Sequence, residues 1–579
     1  MPVPRPVMTL PELLAQRVNA VLPLLSIDLP AGTTADVTIA ADLRFGDYQT
    51  NTAMILAKQL RLNPQALAKE LVEKMDVSDL SATPTVAGPG FINFQIKPEL
   101  LAQRLADLLA DPHLGVPQAS TPKTIVVDFS APNVAKQMHV GHIRSTIIGD
   151  SLARIARFLG HNVITDNHIG DWGTQFGMVL YGWKNFLDQA ALDADPIAEL
   201  LRLYKKVNSA QEADPILRET CKAELVKLQQ GDTENLAIWK RCVEMSLKGL
   251  EDIYDKLDIH FDHHLGESFY NTRLASLVDE LKASGIARES DGAQCIFFPD
   301  VPALQDKPML IQKSDGGYLY GTTDLATIEH RVNVWHADEI WYVVGTPQAH
   351  HFQQLFAAAK LWGFPQKLVH VAFGSILGSD GKMFKTRTGE SVGLREVLEE
   401  GTERALAIVE EKNATLSDSD KTAIAHAVGI GAVKYAELSQ NRLTDYKFSW
   451  EKMLSFHGNT APYLQNAYVR TRSIFRKLGD APVSLTGPFE LSAPEERTLV
   501  LKLTQFAETV PSVLIDNRPN LLAAYLYETA SSFHSFYEAC PVLNATGIQK
   551  ETRIALCEAT SRVLHTGLTL LGIRLTDRM

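Results

Sequence analysis

The stretch between Thr124 and Asp166 constrains the fold of this chain more than any other. TIVVDF is apolar and β-branched on successive residues, the pattern of a strand buried on both faces. HIRSTIIGDSLARIARFLG then places Ile143, Ile147, Leu152, Ile155 and Leu159 on one helical face. Gly160 suits the helix C-terminus, and HNVITD reads as the next strand. A strand–helix–strand unit predicts an open parallel sheet. The loop SAPNVAKQMHVGH lies at the carboxyl end of the first strand, the edge where such sheets bind ligands. It also runs into a helix N-terminus, where unpaired N–H groups and partial positive charge suit phosphate.

His139 and His142 sit in that loop with Gly141 between them. Glycine lets a flat base or ribose approach the backbone. The histidines can donate hydrogen bonds to phosphate oxygens and stabilise transition-state charge without acting as bases. Surface or capping histidines are the plainer reading of a bare H-x-G-H, but the strand–loop–helix setting favours phosphate. A second basic loop, GSDGKMFKTRTGE, follows the apolar run LVHVAF. It carries Lys382, Lys385 and Arg387 among Gly378, Gly381 and Gly389. Alone it would pass for a solvated turn. Paired with the histidines it predicts a loop over a triphosphate, neutralising departing pyrophosphate.

The 579 residues suggest three or four domains. Residues 10 to about 25 read as an amphipathic helix, and Val37 to Ile39 as a strand. Ala53 to Leu60 and Pro64 to Lys74 read as helices, the second capped by Asn63. Gly88 to Ile96 reads as a turn and strand, and DPHLGVPQASTPK as a linker. Residues 190–255 look like a charged helical insertion, strands return at CIFF, PMLIQK, IWYVV and LVHVAF, and helical periodicity dominates from about 415. The expected boundaries are therefore 1–118, 119–410 and 411–579.

The chain is 45% hydrophobic and 21% charged, as soluble globular proteins are. Its five cysteines form no C-x-x-C pair, which predicts reduced, mostly buried thiols and no structural zinc. No apolar run is long enough to span a membrane, and the N-terminus lacks a secretory core; a cytoplasmic location is expected. The net charge of −12 argues against wholesale coating of nucleic acid, but local clusters decide phosphate affinity. NAYVRTRSIFRK is one such cluster: Arg470, Arg472, Arg476 and Lys477 interleave with Tyr468 and Phe475, a pattern that suits phosphate contact and base stacking. A solvated helix face is the alternative for any single residue.

HVGH at 139–142 resembles the HIGH motif of class I aminoacyl-tRNA synthetases, and KMFKT at 382–386 resembles their KMSKS loop. DFSAPNVAKQMHVGHIRSTIIGD is similar to the arginyl-tRNA synthetase version. So are GDYQTN (46–51), AGPGFINF (87–94), GESFY (266–270), QKSDGGYLYGTTDLA (312–326), MLSFHGNTAPYLQNAYVR (453–470) and the closing Arg-Met. The resemblance implies a multidomain α/β enzyme with a Rossmann-like class I catalytic domain and an inserted helical subdomain. An α+β N-terminal domain would touch the tRNA elbow, and an all-α C-terminal bundle would bind the anticodon. The implied reaction is ATP-dependent ligation of L-arginine to tRNA(Arg) through an arginyl-adenylate, releasing AMP and pyrophosphate. MgATP is the substrate complex, no structural metal is needed, bound tRNA precedes efficient activation, and a monomer is expected. The alternatives are a nucleotidyltransferase of the pantetheine-phosphate or nicotinate type, whose chains are far shorter, and a catalytically silent RNA-binding relative.

The resemblance also implies residue roles. A guanidinium is planar, always charged and carries five donors, so recognising it calls for a carboxylate that accepts two parallel bonds. Tyr320 and Asp324 match the family's arginine-binding pair, and a spacing of four puts them on one helical face. A helix cap is the competing reading of Asp324. Asp128 would add negative field where some relatives carry Glu. Asn133 and His139 match positions that hold the amino acid's α-carboxylate and α-amino groups, and Gln348 another arginine contact. His350 and His351 would border the adenosine; a metal site there is not expected, because no partner carboxylate is evident nearby. His139, Gly141 and His142 would bind ATP with Lys382 and Lys385. KMFKT departs from the motif at Phe384 and Thr386, so the role falls to Lys385 before Lys382. The chemistry would be in-line attack of the arginine carboxylate on the α-phosphate, achieved by positioning and electrostatics.

Overall fold

The computed structural model describes residues 8–40, 42, 44–378, 380–382, 392–412, 415–479 and 485–579. Its centre is a four-stranded, all-parallel sheet. β1 (Thr124–Asp128) leads through α1 (Val140–Phe158) to β2 (Asn162–Asp166). Much later, α2 (Tyr320–Asn333) precedes β3 (Glu339–Tyr342), which leads through α3 (Ala349–Leu361) to β4 (Lys367–His370). The spatial order is β4-β3-β1-β2. Chain order therefore reverses between β1 and β3, and their paired ends are Asp128 and Tyr342. A crevice opens outside the carboxyl ends at such a reversal.

The apolar run of β1 divides between two cores. Ile125 and Val127 pack with Ile143, Ile147, Leu152 and Ile155 of α1. Val126 packs with Leu325 and Ile328 of α2, Ile340 and Leu355. Side chains alternate across a strand, so a continuous apolar run is what a sheet covered on both faces needs. The approach of α1 is close. A Cβ on Gly149 would lie 2.2 Å from Cγ of Phe129, so only glycine fits there. Gly160 ends the helix in the left-handed region, as its position suggested.

Two of the four apolar runs assigned as strands fall elsewhere. CIFF and PMLIQK contribute to a separate three-stranded antiparallel sheet, Ala287–Ser290, Ala293–Ile296 and Met309–Gln312. Local pattern identifies a strand but not its partner. The helical excursion is also longer than its charge pattern implied. It runs through five helices from Gln175–Phe186 to Thr233–Leu257, because the mixed apolar stretch before residue 190 is helical too.

The N-terminal residues form a four-stranded antiparallel sheet with helices Leu10–Val21, Thr52–Leu60, Pro64–Lys74 and Pro98–Ala110. Asn63 caps the third of these, accepting from the backbone of Gln65 and Ala66. Beyond the central sheet, β5 (Ile376–Leu377) pairs in parallel with β6 (Tyr446–Lys447). Between them lie α4 (Leu394–Lys412) and α5 (Asp418–Leu438), and α6 (Ala461–Leu478) opens the run of helices that completes the chain. All five cysteines are free and buried, as expected. Among the described residues no helix is long and apolar enough to cross a membrane.

The N-terminal sheet docks on these last helices through GDYQTN. Arg497 binds both carboxylate oxygens of Asp47, one at 3.1 Å, and the Tyr48 hydroxyl donates to Glu508 at 2.7 Å. Asp47 and Tyr48 are buried, so this part of the motif serves contact between domains.

Candidate active site

The loop between β1 and α1 is held in an unusual backbone shape. Ser130, Ala131 and Ala135 all have positive φ without being glycine. Such strain persists only when surrounding contacts over-determine it, and it concentrates at functional sites. The contacts are present. Ser145 Oγ accepts from the Ser130 amide at 2.9 Å, Asn167 from Ala131 at 3.0 Å, and Ser246 from Ala135 at 3.1 Å.

The loop delivers two imidazoles to the N-terminus of α1. His139 is the N-cap, and its Nδ1 accepts the Gly141 amide at 3.0 Å. His142 Nδ1 accepts the His139 amide at 3.2 Å. An Nδ1 that accepts must carry a lone pair, so each neutral ring bears its proton on Nε2. Burial holds His142 neutral, with its pKa lowered to about 4. His139 is lowered as well, by burial and then by Lys136. Neither Nε2 has a hydrogen-bond partner among the described residues. The helix start thus offers two uncharged side-chain N–H donors, while the amides of His139, Val140, Gly141 and His142 are already bonded within the protein. The rings lie 4.1 Å apart, and a Cβ on Gly141 would come within 2.7 Å of the His139 ring. That close approach is why the position between them is glycine.

The second signature lies against the first. Residues returning from it pair with the histidine loop in strand fashion: His139 bridges Gly393, Val140 donates to Val392 at 3.0 Å, and Leu394 donates to Met138 at 2.9 Å. Lys382 is exposed in a tight turn after β5, where its carbonyl accepts from Gly378 at 2.7 Å. Lys385 and Arg387 lie outside the described residues.

The residues expected to bind the guanidinium, Tyr320 and Asp324, lie at the start of α2. The helix begins at Tyr320 with Leu319 as its N-cap, so Tyr320 and Asp324 do share a face, and the capping reading of Asp324 is wrong. Tyr320 is 62% exposed. Asp324 lies 2.6 Å from Nε2 of His351, in the first turn of α3, and the Tyr320 ring meets His351 edge-on at 4.7 Å. The expectation that no carboxylate lies near the 350–351 histidines is therefore also wrong; pattern along the chain could not reveal a partner on another helix. Among the described residues no group of three or more His, Cys, Asp or Glu could hold a metal ion. Asn133 and Gln348 are both exposed.

Asp128 is not a free carboxylate. Arg331, fully buried on α2, places Nη2 within 2.7 Å of both Asp128 and Asp166. Burial pushes the Asp128 carboxyl up, and Arg331 opposes the rise. If both acids are ionised the trio carries one net negative charge, so part of the field assigned to Asp128 is spent inside the protein. His351 stands in the first turn of α3, the helix that follows the carboxyl end of β3, so its contact with Asp324 puts that acid at the crevice.

Sequence reasoning placed His351 beside the adenosine and missed its bond to Asp324, and it missed two further residues here. Arg331 gave no local signal. Glu267 did, since it is the acid of GESFY and opens helix Glu267–Ala283. Burial raises its pKa, His168 opposes this, and Asp171 and Asp324 add to it. Glu267 thus feels the negative charge of both Asp171 and Asp324.

The proposed RNA cluster on α6 is partly occupied. Arg476 donates to the Asp577 carbonyl at 2.6 Å, and Arg472 lies 3.8 Å from both Glu558 and Asp577. The C-terminal tail folds back on these two arginines, and Tyr468 is buried. Arg470 sits over the Tyr537 ring at 5.2 Å, and Lys477 is exposed.

A crossing of β1 and β3 with imidazoles at the helix start defines the catalytic fold of a class I aminoacyl-tRNA synthetase, and residues 104–450 match the family model "tRNA synthetases class I (R), catalytic domain". Residues 9–96 match "Arginyl tRNA synthetase N terminal domain" and residues 464–579 "DALR anticodon binding domain". The chain belongs to the arginyl-tRNA synthetase family, whose members join arginine to tRNA at the expense of ATP. It is 45% identical to the arginine–tRNA ligase of Cellvibrio japonicus, across 99% of this chain and 100% of that one. Among solved structures it is similar to the arginyl-tRNA synthetase of Plasmodium falciparum, with TM-score 0.83, 29% identity and coverage of 99% and 100%. That of Thermus thermophilus also gives TM-score 0.83, with 27% identity and coverage of 98% and 100%.

Proposed function

We propose that arginine is activated in the crevice outside β1 and β3, with its guanidinium on Asp324 and Glu267 and MgATP at the start of α1. The observation that carries this reading is the pairing of an acidic pocket with two neutral N–H donors at one sheet edge. Asp324 accepts two parallel bonds from the guanidinium once His351 yields Oδ2, and Tyr320 lies alongside. Lysine offers a point charge that cannot satisfy that fork. Asn133 and His139 hold the amino acid's α-carboxylate and α-amino groups, Gln348 makes a further contact to arginine, and His139 also meets the nucleotide.

The carboxylate of arginine attacks the α-phosphorus in line, and pyrophosphate leaves. His139 and His142 donate their Nε2 protons as hydrogen bonds to the phosphate oxygens as charge builds, with no proton transferred. Lys382 and Lys385 neutralise the departing pyrophosphate. A terminal ribose hydroxyl of tRNA(Arg) then attacks the adenylate carbonyl, and AMP leaves. The N-terminal domain (1–118) contacts the tRNA elbow and the bundle (411–579) the anticodon, with Arg470 and Lys477 as phosphate contacts. The working unit is a cytoplasmic monomer.

The test is tRNA-dependent charging with each labelled amino acid in turn. Arginine alone should be esterified. Preference for another amino acid would overturn the pocket assignment. Near-normal ATP–pyrophosphate exchange by both His139→Ala and His142→Ala, with tRNA present, would overturn the roles of the imidazoles.

A further inference from the structure

Arg144 follows His142 by two residues on α1, and its side chain is almost wholly buried. Its Nη1 donates to the Thr444 carbonyl at 2.9 Å, and its Nε lies 3.0 Å from Glu437 Oε2. The guanidinium also sits over the rings of Phe373 and Tyr446, at 5.9 and 5.4 Å. Glu437, on the last turn of α5, is as deeply buried and accepts the Tyr446 hydroxyl on its other oxygen.

These partners frame one place. Tyr446 pairs with Ile376 where β6 meets β5. Ser375 donates to Asp445 at 2.5 Å, and Phe448 donates to the Leu377 carbonyl at 2.9 Å. Gly378 and Lys382 follow β5 directly. A cation on the helix that carries the two histidines is thus clamped to the strand pair from which the second signature departs.

Stability does not account for this arrangement. Arg144 Nη2 has no hydrogen-bond partner among the described residues despite its burial, and Nε and Glu437 Oε2 meet only each other, as an ion pair at 3.0 Å. Desolvating two charges is expensive, and an apolar pair of similar volume usually stabilises as well or better. Ions provide something that apolar groups do not, a directional contact that fixes one register between two elements.

We propose that Arg144, held by Glu437 and Tyr446, is a positioning residue for the ATP step, setting the separation between the histidine pair and Lys382. This rests on the function proposed above. The reason is geometric: catalysis by oriented donors falls roughly 10²-fold for a displacement of about 1 Å. The two signatures come from elements far apart in sequence, and both must press on the same phosphates.

The experiment compares the full-length parent with an Arg144→Met, Glu437→Leu double variant, which removes both buried charges while keeping volume. Urea unfolding and arginine-dependent ATP–pyrophosphate exchange in the presence of tRNA are measured on each. The double variant is expected to unfold at the same or higher urea, with kcat lowered on the order of 10–100-fold. Its KM for ATP should rise several-fold, while its KM for arginine stays within two-fold of the parent. Tyr446→Phe, which leaves the ion pair, should show the same ATP-selective change at smaller size. Retained kcat in the double variant, or parallel rises in both KM values, would overturn the positioning role. Loss of activity that merely follows the unfolded fraction would overturn it too. A parent that does not exchange with arginine at all would instead sink the site reading itself.

Discussion

His351 Nε2 lies 2.6 Å from Asp324 Oδ2, so the acid assigned to the substrate guanidinium already has an internal partner. Asp324 is held in place before arginine arrives, and His351 must give up its bond when the fork docks. Asp324→Asn keeps the shape and removes the charge. A hydrogen bond to a charged group contributes about 2–3 kcal/mol, so the KM for arginine should rise roughly 30–150-fold with little change in that for ATP. Steady-state exchange kinetics with each substrate varied would show it, and an equal rise for ATP would refute it.

The acid side of the stability profile should carry the mark of His142. In the unfolded chain its ring titrates near 6.5, whereas burial holds it to about 4 in the folded protein. Between those values the unfolded state binds more protons, so stability falls as pH drops through the window. The full effect is up to about 3 kcal/mol. Denaturant unfolding of the parent and His142→Gln from pH 7 to pH 4.5 should show a shallower loss in the variant. Equal slopes would mean the ring is not held neutral.

Gly149→Ala tests the packing of α1 on its strand. The added methyl would fall 2.2 Å from the Phe129 ring. Overpacking of this kind costs about 1–3 kcal/mol. A matching Phe129→Leu change should recover part of the loss by making room. If the single variant unfolds at the same urea concentration as the parent, helix and strand are not in the contact described.

The dock between the N-terminal sheet and the last helices should depend on pH. Burial raises Glu508 to about 7 against an ordinary 4.5, with Tyr48 opposing. The folded state binds the extra proton between these values, so the contribution is complete below about pH 4.5 and is lost as pH rises through 7. Limited proteolysis between the domains should accelerate from pH 5.5 to 8 in the parent. Glu508→Gln should flatten that dependence, and an unchanged profile would count against it.

Much of this molecule was legible from local pattern. Asn63 and Pro64 marked a helix start, Gly160 a helix end, and the run from Thr124 to Asp166 a strand–helix–strand unit, because caps and periodicity act within a few residues. The two signatures were legible as residue types in a setting. Pairings across distance were not. Asp128 meets Arg331 and Asp166 only after the sheet is assembled, and Asp324 meets His351 across two helices. Arg472 and Arg476 looked free because the tail that covers them arrives a hundred residues later. Periodicity tells which face of an element is buried, but it carries no address for the charge waiting there.

Among the described residues, the side-chain hydrogen bonds of Arg497 and Glu508 go to the N-terminal residues Asp47, Ile96 and Tyr48. Cutting away the first hundred residues would therefore do more than remove a binding surface; it would strand a guanidinium without its counter-ion and strip the cover from an acid. The last helices have been shaped around a neighbour they require, so a shortened form of this enzyme would need compensating changes some four hundred residues downstream of the cut.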